Sequence, residues 1–292
     1  MKPIYQMVLF FTIAQILALF VGTTLIDYSP EVIEYQLLNI APEKPGELFN
    51  ILYFIGMILV AAVMVFVILI FPIRDLMIKV LEFISTIVAS TVVLFVFFSS
   101  FGVPSSDFAA LVFAILLYVG KTFFDELRNV LAITASAGVG SLIGFSIDPF
   151  PTILFVILIA VYDIIAVWWT GHMIEFARYF VKMKTAFTLS AKEVKIVKTK
   201  RKGKIVNIPR RLQLELGTGD LAIPAALVVS VYKLGSIFFS ISVIIGGIIG
   251  LYIILERAQR ERKIFPAMPS IAVCSLIAFF VTVFAWYLLD IL

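Results

Sequence analysis

The stretch PFPTILFVILIAVYDIIAVWWT, residues 149–170, carries one charged side chain, Asp163, among 22 residues. An α-helix needs about 20 mainly apolar residues to cross the hydrocarbon core of a bilayer. An ionisable group inside such a helix costs several kcal/mol on insertion, so it is seldom without a role. This stretch therefore predicts a transmembrane helix with a functional aspartate near its middle.

The composition of the whole chain also fits a membrane protein. Of its 292 residues, 62% are hydrophobic and only 14% are charged, whereas soluble domains have about 25% charged residues. The apolar runs are too long for the strands of a transmembrane barrel, which alternate over about ten residues. Helices are the remaining way to satisfy every backbone group in lipid. The sequence thus predicts an all-α polytopic membrane protein.

Nine apolar runs predict nine transmembrane helices and one orientation. Loops after the second, fourth, sixth and eighth runs hold most Lys and Arg, and such loops lie in the cytoplasm. The N-terminus is therefore expected in the cytoplasm and the C-terminus outside. The runs span about 4–26, 48–71, 84–101, 108–124, 130–147, 149–170, 218–234, 236–255 and 269–289.

This pattern divides the chain into helices one to six (1–170), a basic cytoplasmic loop (171–216) and helices seven to nine (217–292). The loop holds 12 of the 23 Lys and Arg residues. Two β-branched runs, 193–198 and 204–208, flank the polar turn Lys200-Arg201-Lys202-Gly203, which suggests a β-hairpin. A loop without regular structure that binds anionic lipid is an equally good interpretation.

A second aspartate, Asp220, opens the seventh run within Gly217-Thr218-Gly219-Asp220. Asp163 lies about 18 Å inside the membrane if the helix extends to Glu175. An extended backbone before Asp220 would bring it about 17 Å below Glu215, and the two glycines favour that conformation. Pro224 cannot donate to the carbonyl of Asp220, so we expect a distorted helix there.

Two neighbouring carboxyl groups can hydrolyse a peptide bond without metal or cofactor. They share one proton, because both cannot easily ionise at short range. The ionised group activates a water, and the protonated group donates to the peptide carbonyl. His172 is the only histidine, so a zinc protease of the His-Glu-x-x-His type is excluded.

The same aspartates would also suit a proton- or cation-coupled transporter, or a leak channel. From the residues alone, this alternative and the protease have comparable support. Other polar residues in the spans, Gln6, Thr12 and Gln15, are expected to form hydrogen bonds between helices.

Three motifs resemble those of the presenilin and signal peptide peptidase family of intramembrane aspartyl proteases. They are Tyr162-Asp163 in the sixth span, Gly217-Thr218-Gly219-Asp220 at the seventh, and Pro266-Ala267-Met268 before the ninth. The family has Tyr-Asp, Gly-x-Gly-Asp and Pro-Ala-Leu at these places. Met268 replaces the usual Leu, a swap of similar volume that usually costs little.

The resemblance implies that Asp163 and Asp220 are the catalytic pair, with Tyr162, Gly217 and Gly219 as motif residues. It implies that Pro266, Ala267 and Met268 lie near the site and help to hold substrate. A transmembrane substrate helix would unwind and pair as a strand with residues 212–216. A prepilin-type peptidase fits less well, because its second aspartate would lie in a cytoplasmic loop.

The resemblance also sets expectations for location and partners. The short chain is similar to a microbial presenilin homologue that works in the cell membrane without accessory subunits. Its partners would be the bilayer and a transmembrane protein or peptide substrate, with no role for nucleic acid. Assembly into homo-oligomers stays open.

Overall fold

The computed structural model describes residues 2–27, 56, 73–170, 179–180, 182–201, 204–261 and 265–289, without the side chains of 169–170 and 192–213. Apart from Gly56, the predicted second span at 48–71 lies outside this part of the chain. Most of the loop before it, His172, Glu175 and the turn residues Lys202-Gly203 also lie outside.

Eight α-helices form the described part of the chain, and six of them are long and apolar enough to cross a membrane. The protein is therefore an all-α polytopic membrane protein with one added hairpin. The two shorter helices, α3 and α6, have 15 and 14 residues. The bounds are α1 (Pro3–Asp27), α2 (Arg74–Ser100), α3 (Ser106–Gly120), α4 (Asp125–Ser146), α5 (Pro149–Ile165), α6 (Gly219–Tyr232), α7 (Ile237–Glu261) and α8 (Met268–Leu288).

Residues between α5 and α6 form an antiparallel hairpin of β1 (Thr188–Arg201) and β2 (Lys204–Gly217). Thr188 pairs with Gly217 and Arg201 with Lys204. Both strands are longer than the runs at 193–198 and 204–208 that suggested them. Leu189 and Leu216, outside those runs, are buried with residues of α1 in one apolar cluster. The base of the hairpin is therefore packed against the helices.

Helix α4 packs closely against α2 and α6 because small residues line its contacts. A Cβ built on Gly140 would lie 2.5 Å from the Cβ of Ala225 and 2.7 Å from the carbonyl oxygen of Ala222. A Cβ built on Gly144 would clash with the carbonyl oxygen of Ala226, and one built on Gly138 would clash with that of Ala89. Small residues allow helix backbones to approach in this way within a membrane.

Helices α7 and α8 form a second close pair, with Gly250 facing the backbone of Ser270. The Ser270 hydroxyl donates to the Gly250 carbonyl at 2.8 Å, and the Ser275 hydroxyl donates to the Val243 carbonyl at 3.1 Å. These contacts fix the beginning of α8 relative to the rest of the bundle.

The segment before Asp220 differs in part from the expected extended form. Extended backbone ends at Gly217, Thr218 has helical angles, and α6 starts at Gly219. The helix then runs through Pro224 to Tyr232. The distortion expected at Asp220 stays a prediction.

Candidate active site

Asp163 lies near the end of α5, and its side chain is held by the beginning of α8. The residue is only 8% exposed. Its Oδ2 accepts a hydrogen bond from the backbone N–H of Met268 at 3.1 Å, and the backbone of Ala267 also interacts with this carboxyl. Backbone N–H groups at a helix N-terminus favour negative charge. The N-terminus of α8 therefore forms a hydrogen-bonding site for the Asp163 carboxylate.

Asp220 occupies the first turn of α6 and is partly buried. Its carboxyl lies close enough to Asp163 for the two charges to interact, and it accepts from the backbone of Gly217. A Cβ built on Gly217 would be 3.4 Å from Asp220 Oδ2. The Asp220 side chain thus folds back over the end of β2, towards α5.

The motif residues separate into two groups in the structure. Ala267, Met268 and Gly217 contact one or other aspartate through their backbones. Tyr162 is 53% exposed and faces a different side of α5 from Asp163. Gly219 is exposed, and a Cβ built there would meet no described atom within 4 Å.

Pro266 is buried and precedes the first turn of α8. It has no N–H, so it contributes no hydrogen bond to Asp163. Its fixed φ instead restricts how the chain enters α8, where the two donors to Asp163 lie.

Gln15, on α1, also contacts the site, and the sequence did not predict this contact. It is fully buried, and its Nε2 donates to the carbonyl oxygen of Leu221 at 3.0 Å. Leu221 follows Asp220 directly, so this bond ties α1 to the first turn of α6. Its position in an apolar span predicted a hydrogen bond between helices, which is confirmed. Thr12, by contrast, bonds within its own helix, to Val8.

A π-helical turn, Ala166–Thr170, follows α5 three residues after Asp163. Short π-helical segments are rare and frequently occur at functional sites. No sequence pattern signalled it, because its residues continue the apolar run without a proline or glycine.

Comparisons with known proteins identify the family of this chain. A family model described as signal-peptide peptidase, presenilin aspartyl protease matches residues 8–288. No curated protein matches the chain.

Two solved structures of a presenilin family intramembrane aspartate protease share the fold. The one in space group C222 has a TM-score of 0.65 and 21% identity, covering 96% of this chain and 98% of its own. The one in space group P2 has a TM-score of 0.56 and 23% identity, covering 92% and 95%. Since the family model spans nearly the whole sequence, the chain belongs to the signal peptide peptidase and presenilin family of intramembrane aspartyl proteases.

Proposed function

We propose that Asp163 and Asp220 are the catalytic pair, and that they hydrolyse peptide bonds within the transmembrane segments of other proteins. The observation that supports this assignment is the approach of the two carboxyl groups, one from α5 and one from α6, within range of mutual charge interaction. In the proposed mechanism the two acids share one proton, since double ionisation at short range is unfavourable.

The reaction uses this shared proton and one water. The ionised carboxylate takes a proton from water, whose oxygen attacks the peptide carbonyl carbon. The protonated carboxyl donates to the carbonyl oxygen, which gives a tetrahedral diol. The carboxyl that took the proton from water then donates it to the amine nitrogen. The other carboxylate removes a proton from a diol hydroxyl, and the C–N bond breaks as the C=O bond re-forms. Each carboxyl has a backbone partner, Met268 for Asp163 and Gly217 for Asp220. The pair titrates as one unit.

The replacement of the family Leu by Met268 leaves this chemistry intact. The contact with Asp163 comes from the backbone N–H, which does not depend on the side chain. The Met268 side chain is buried in the bundle, and a Leu-to-Met exchange there conserves volume. Pro266, Ala267 and Met268 therefore act on substrate hydrolysis mainly by holding the Asp163 carboxyl.

Substrate approaches along the hairpin in this proposal. Its transmembrane helix unwinds near the aspartates and adds as a strand beside residues 212–216 of β2. The exposed backbone at Gly219 leaves room for the substrate chain next to Asp220. Tyr162, on the exposed side of α5, faces the lipid or the entering helix.

The topology proposed for this function has nine transmembrane helices in the cell membrane, with the N-terminus in the cytoplasm and the C-terminus outside. The chain acts on transmembrane protein or peptide substrates without accessory subunits. The alternative of a proton- or cation-coupled transporter or leak channel gains no support from the family match.

Cleavage of a transmembrane peptide by the purified protein in detergent tests the proposal. Asp163→Asn and Asp220→Asn should each abolish cleavage, because an amide can neither accept the proton from water nor share it. Thermal melting should stay close to that of the unsubstituted protein. Asp107→Asn, at an exposed position in the first turn of α3, is the matched control and should keep full activity. Cleavage retained in either active-site variant contradicts the assignment.

A further inference from the structure

The side chain of Asn129, on α4, attaches the beginning of β1 to the bundle. Its Nδ2 donates to the Ser190 carbonyl oxygen at 2.9 Å, and its Oδ1 accepts from the Ser190 N–H at 3.1 Å. One amide thus bonds both backbone groups of one residue, as a neighbouring strand would. Because both groups of Ser190 point to Asn129, this side chain occupies the edge of β1 that faces away from β2.

Glu82, on α2, provides a second attachment four residues earlier. Its carboxylate accepts from the Ala186 N–H and from the Lys121 ammonium group. Glu82 is 2% exposed and its partner Lys121 is also largely buried, so the two opposite charges compensate each other inside the bundle. The chain therefore enters the hairpin from a fixed position.

The attached strand β1 in turn holds the end of β2 and the residues before Asp220. Ser190 pairs with Glu215, and Thr188 pairs with Gly217. Beyond the strand end, the Thr218 N–H donates to the Phe187 carbonyl at 3.0 Å, and its hydroxyl donates to the same oxygen at 3.2 Å. The position of β1 therefore fixes Thr218, which lies two residues before Asp220.

Helix α4 also holds the chain on the other side of Asp220. Its Gly140 and Gly144 lie against the backbone of α6 at Ala222 and Ala226. The segment that carries Asp220 is thus fixed to one helix at two places, by Asn129 through the hairpin and by the glycines through α6.

We infer that Asn129 is a positioning residue that determines which bond of the substrate reaches the aspartates. This inference rests on the proposed function. A substrate strand that pairs with β2 takes its register from the hairpin, and a shift by one residue turns every side chain to the other face. Asn129 occupies the outer edge of β1 at Ser190, so the free edge for the substrate is that of β2. Asn129 also fixes the hairpin to α4, the helix that packs against α6.

Three substitutions at Asn129 separate these effects. Asn129→Leu has similar volume and removes both hydrogen bonds. Asn129→Asp keeps an acceptor for the Ser190 N–H and loses the donor. Asn129→Gln keeps the whole amide on a side chain longer by one methylene. Glu126→Gln, an exposed change one turn earlier on α4, is the control.

The assay is cleavage of one transmembrane peptide by the full-length protein in detergent, with product masses read by mass spectrometry. For Asn129→Leu we expect kcat to fall about ten- to hundredfold and cleavage to spread over neighbouring bonds, since the site loses alignment. Asn129→Gln should recover most of the rate, with a displaced main cleavage site. Asn129→Asp should lie between the two, and Glu126→Gln should match the unsubstituted protein in rate and products.

Hydrogen exchange gives a readout that does not require activity. The Ser190 amide should be protected in the unsubstituted protein and exchange at least about tenfold faster in Asn129→Leu, because its acceptor is removed. Unchanged exchange, or unchanged products and rate in Asn129→Leu, overturns the inference. If that variant fails to fold, unshifted products in Asn129→Gln and Asn129→Asp overturn it instead.

Failure of the proposed function gives a different result. If the unsubstituted protein cleaves no transmembrane peptide, the proposed function is refuted together with the effect on the cleaved bond. If it cleaves and the Asn129 variants behave like Glu126→Gln, only the inference about Asn129 is refuted.

Discussion

Gly140→Ala is the most direct test of how the bundle places Asp220. The added Cβ would lie 2.5 Å from the Cβ of Ala225, whereas ordinary contact begins at 3.4 Å. Helix α6 would have to move away from α4 by about 0.9 Å. Asp220 precedes Ala225 by little more than one helical turn and would move with it. A misplacement of about 1 Å can cost about a hundredfold in rate, because reacting groups leave their aligned geometry.

The effect on stability should be smaller than the effect on activity. Inserting a methyl group into a packed contact costs about 1–3 kcal/mol. Replacing glycine by alanine inside a helix returns about 1 kcal/mol through the higher helix propensity of alanine. We therefore expect the free energy of unfolding to fall by about 0–2 kcal/mol, while kcat falls about a hundredfold.

The measurements are kcat with a transmembrane peptide and thermal melting in the same detergent. Val139→Ile adds the same methylene at the neighbouring, exposed position of α4 and should change neither quantity. Adding Ala225→Gly removes the nearest clashing atom, though not the Ala222 oxygen at 2.7 Å, and should restore part of the rate. A Gly140→Ala protein with kcat within about threefold of the original would refute the argument that this contact positions Asp220.

Two further substitutions test contacts at opposite ends of α6. Gln15→Leu removes the bond to the Leu221 carbonyl, and it also removes an oxygen, Oε1, that is buried with no hydrogen-bond partner in the described part of the chain. Stability should therefore change by less than about 1 kcal/mol, while kcat falls about three- to tenfold. An unchanged kcat would show that the bond from Gln15 to Leu221 does not position Asp220. Lys233→Met removes hydrogen bonds of 2.6 and 3.0 Å to the carbonyls of Phe145 and Ile147. We expect a loss of about 1.5–3 kcal/mol in stability, measured by melting. The kcat should change little, because Lys233 lies about 20 Å along the helix from Asp220. A large loss of kcat at unaltered stability would contradict this expectation.

Apolar runs alone located the described helices, although not always their ends. The run at 4–26 nearly matches α1 (Pro3–Asp27). The run at 84–101 begins ten residues after α2 does, at Arg74, because hydropathy falls where charged residues appear. Glu82 is nevertheless buried there, since Lys121 and the Ala186 N–H compensate its charge. Neither partner is near Glu82 in sequence, so the true start of α2 could not be read from the local pattern.

The hairpin shows the same limit of local patterns. Its sequence signal covered the basic, β-branched middle at 193–198 and 204–208 and the alternating residues 212–216, and it missed the beginning of β1. The ends of both strands are apolar and buried, with Leu189, Ala191 and Leu216 packed in the cluster that contains residues of α1. Their extended conformation is stabilised by that packing and by Asn129, which a reading of local residues does not reveal.

By itself, the sequence determined that the chain lies in a membrane, where most of its helices run and which two aspartates are unusual there. Those conclusions follow from the cost of placing charge in lipid, which depends on residue type and spacing alone. Only the tertiary structure showed that the backbone N–H of Met268, 105 residues away, donates to the Asp163 carboxyl, and that Asn129 bonds to Ser190. The partners in these contacts are backbone N–H and C=O groups. Every residue except proline has both, so no pattern of side chains predicts which of them will form these bonds.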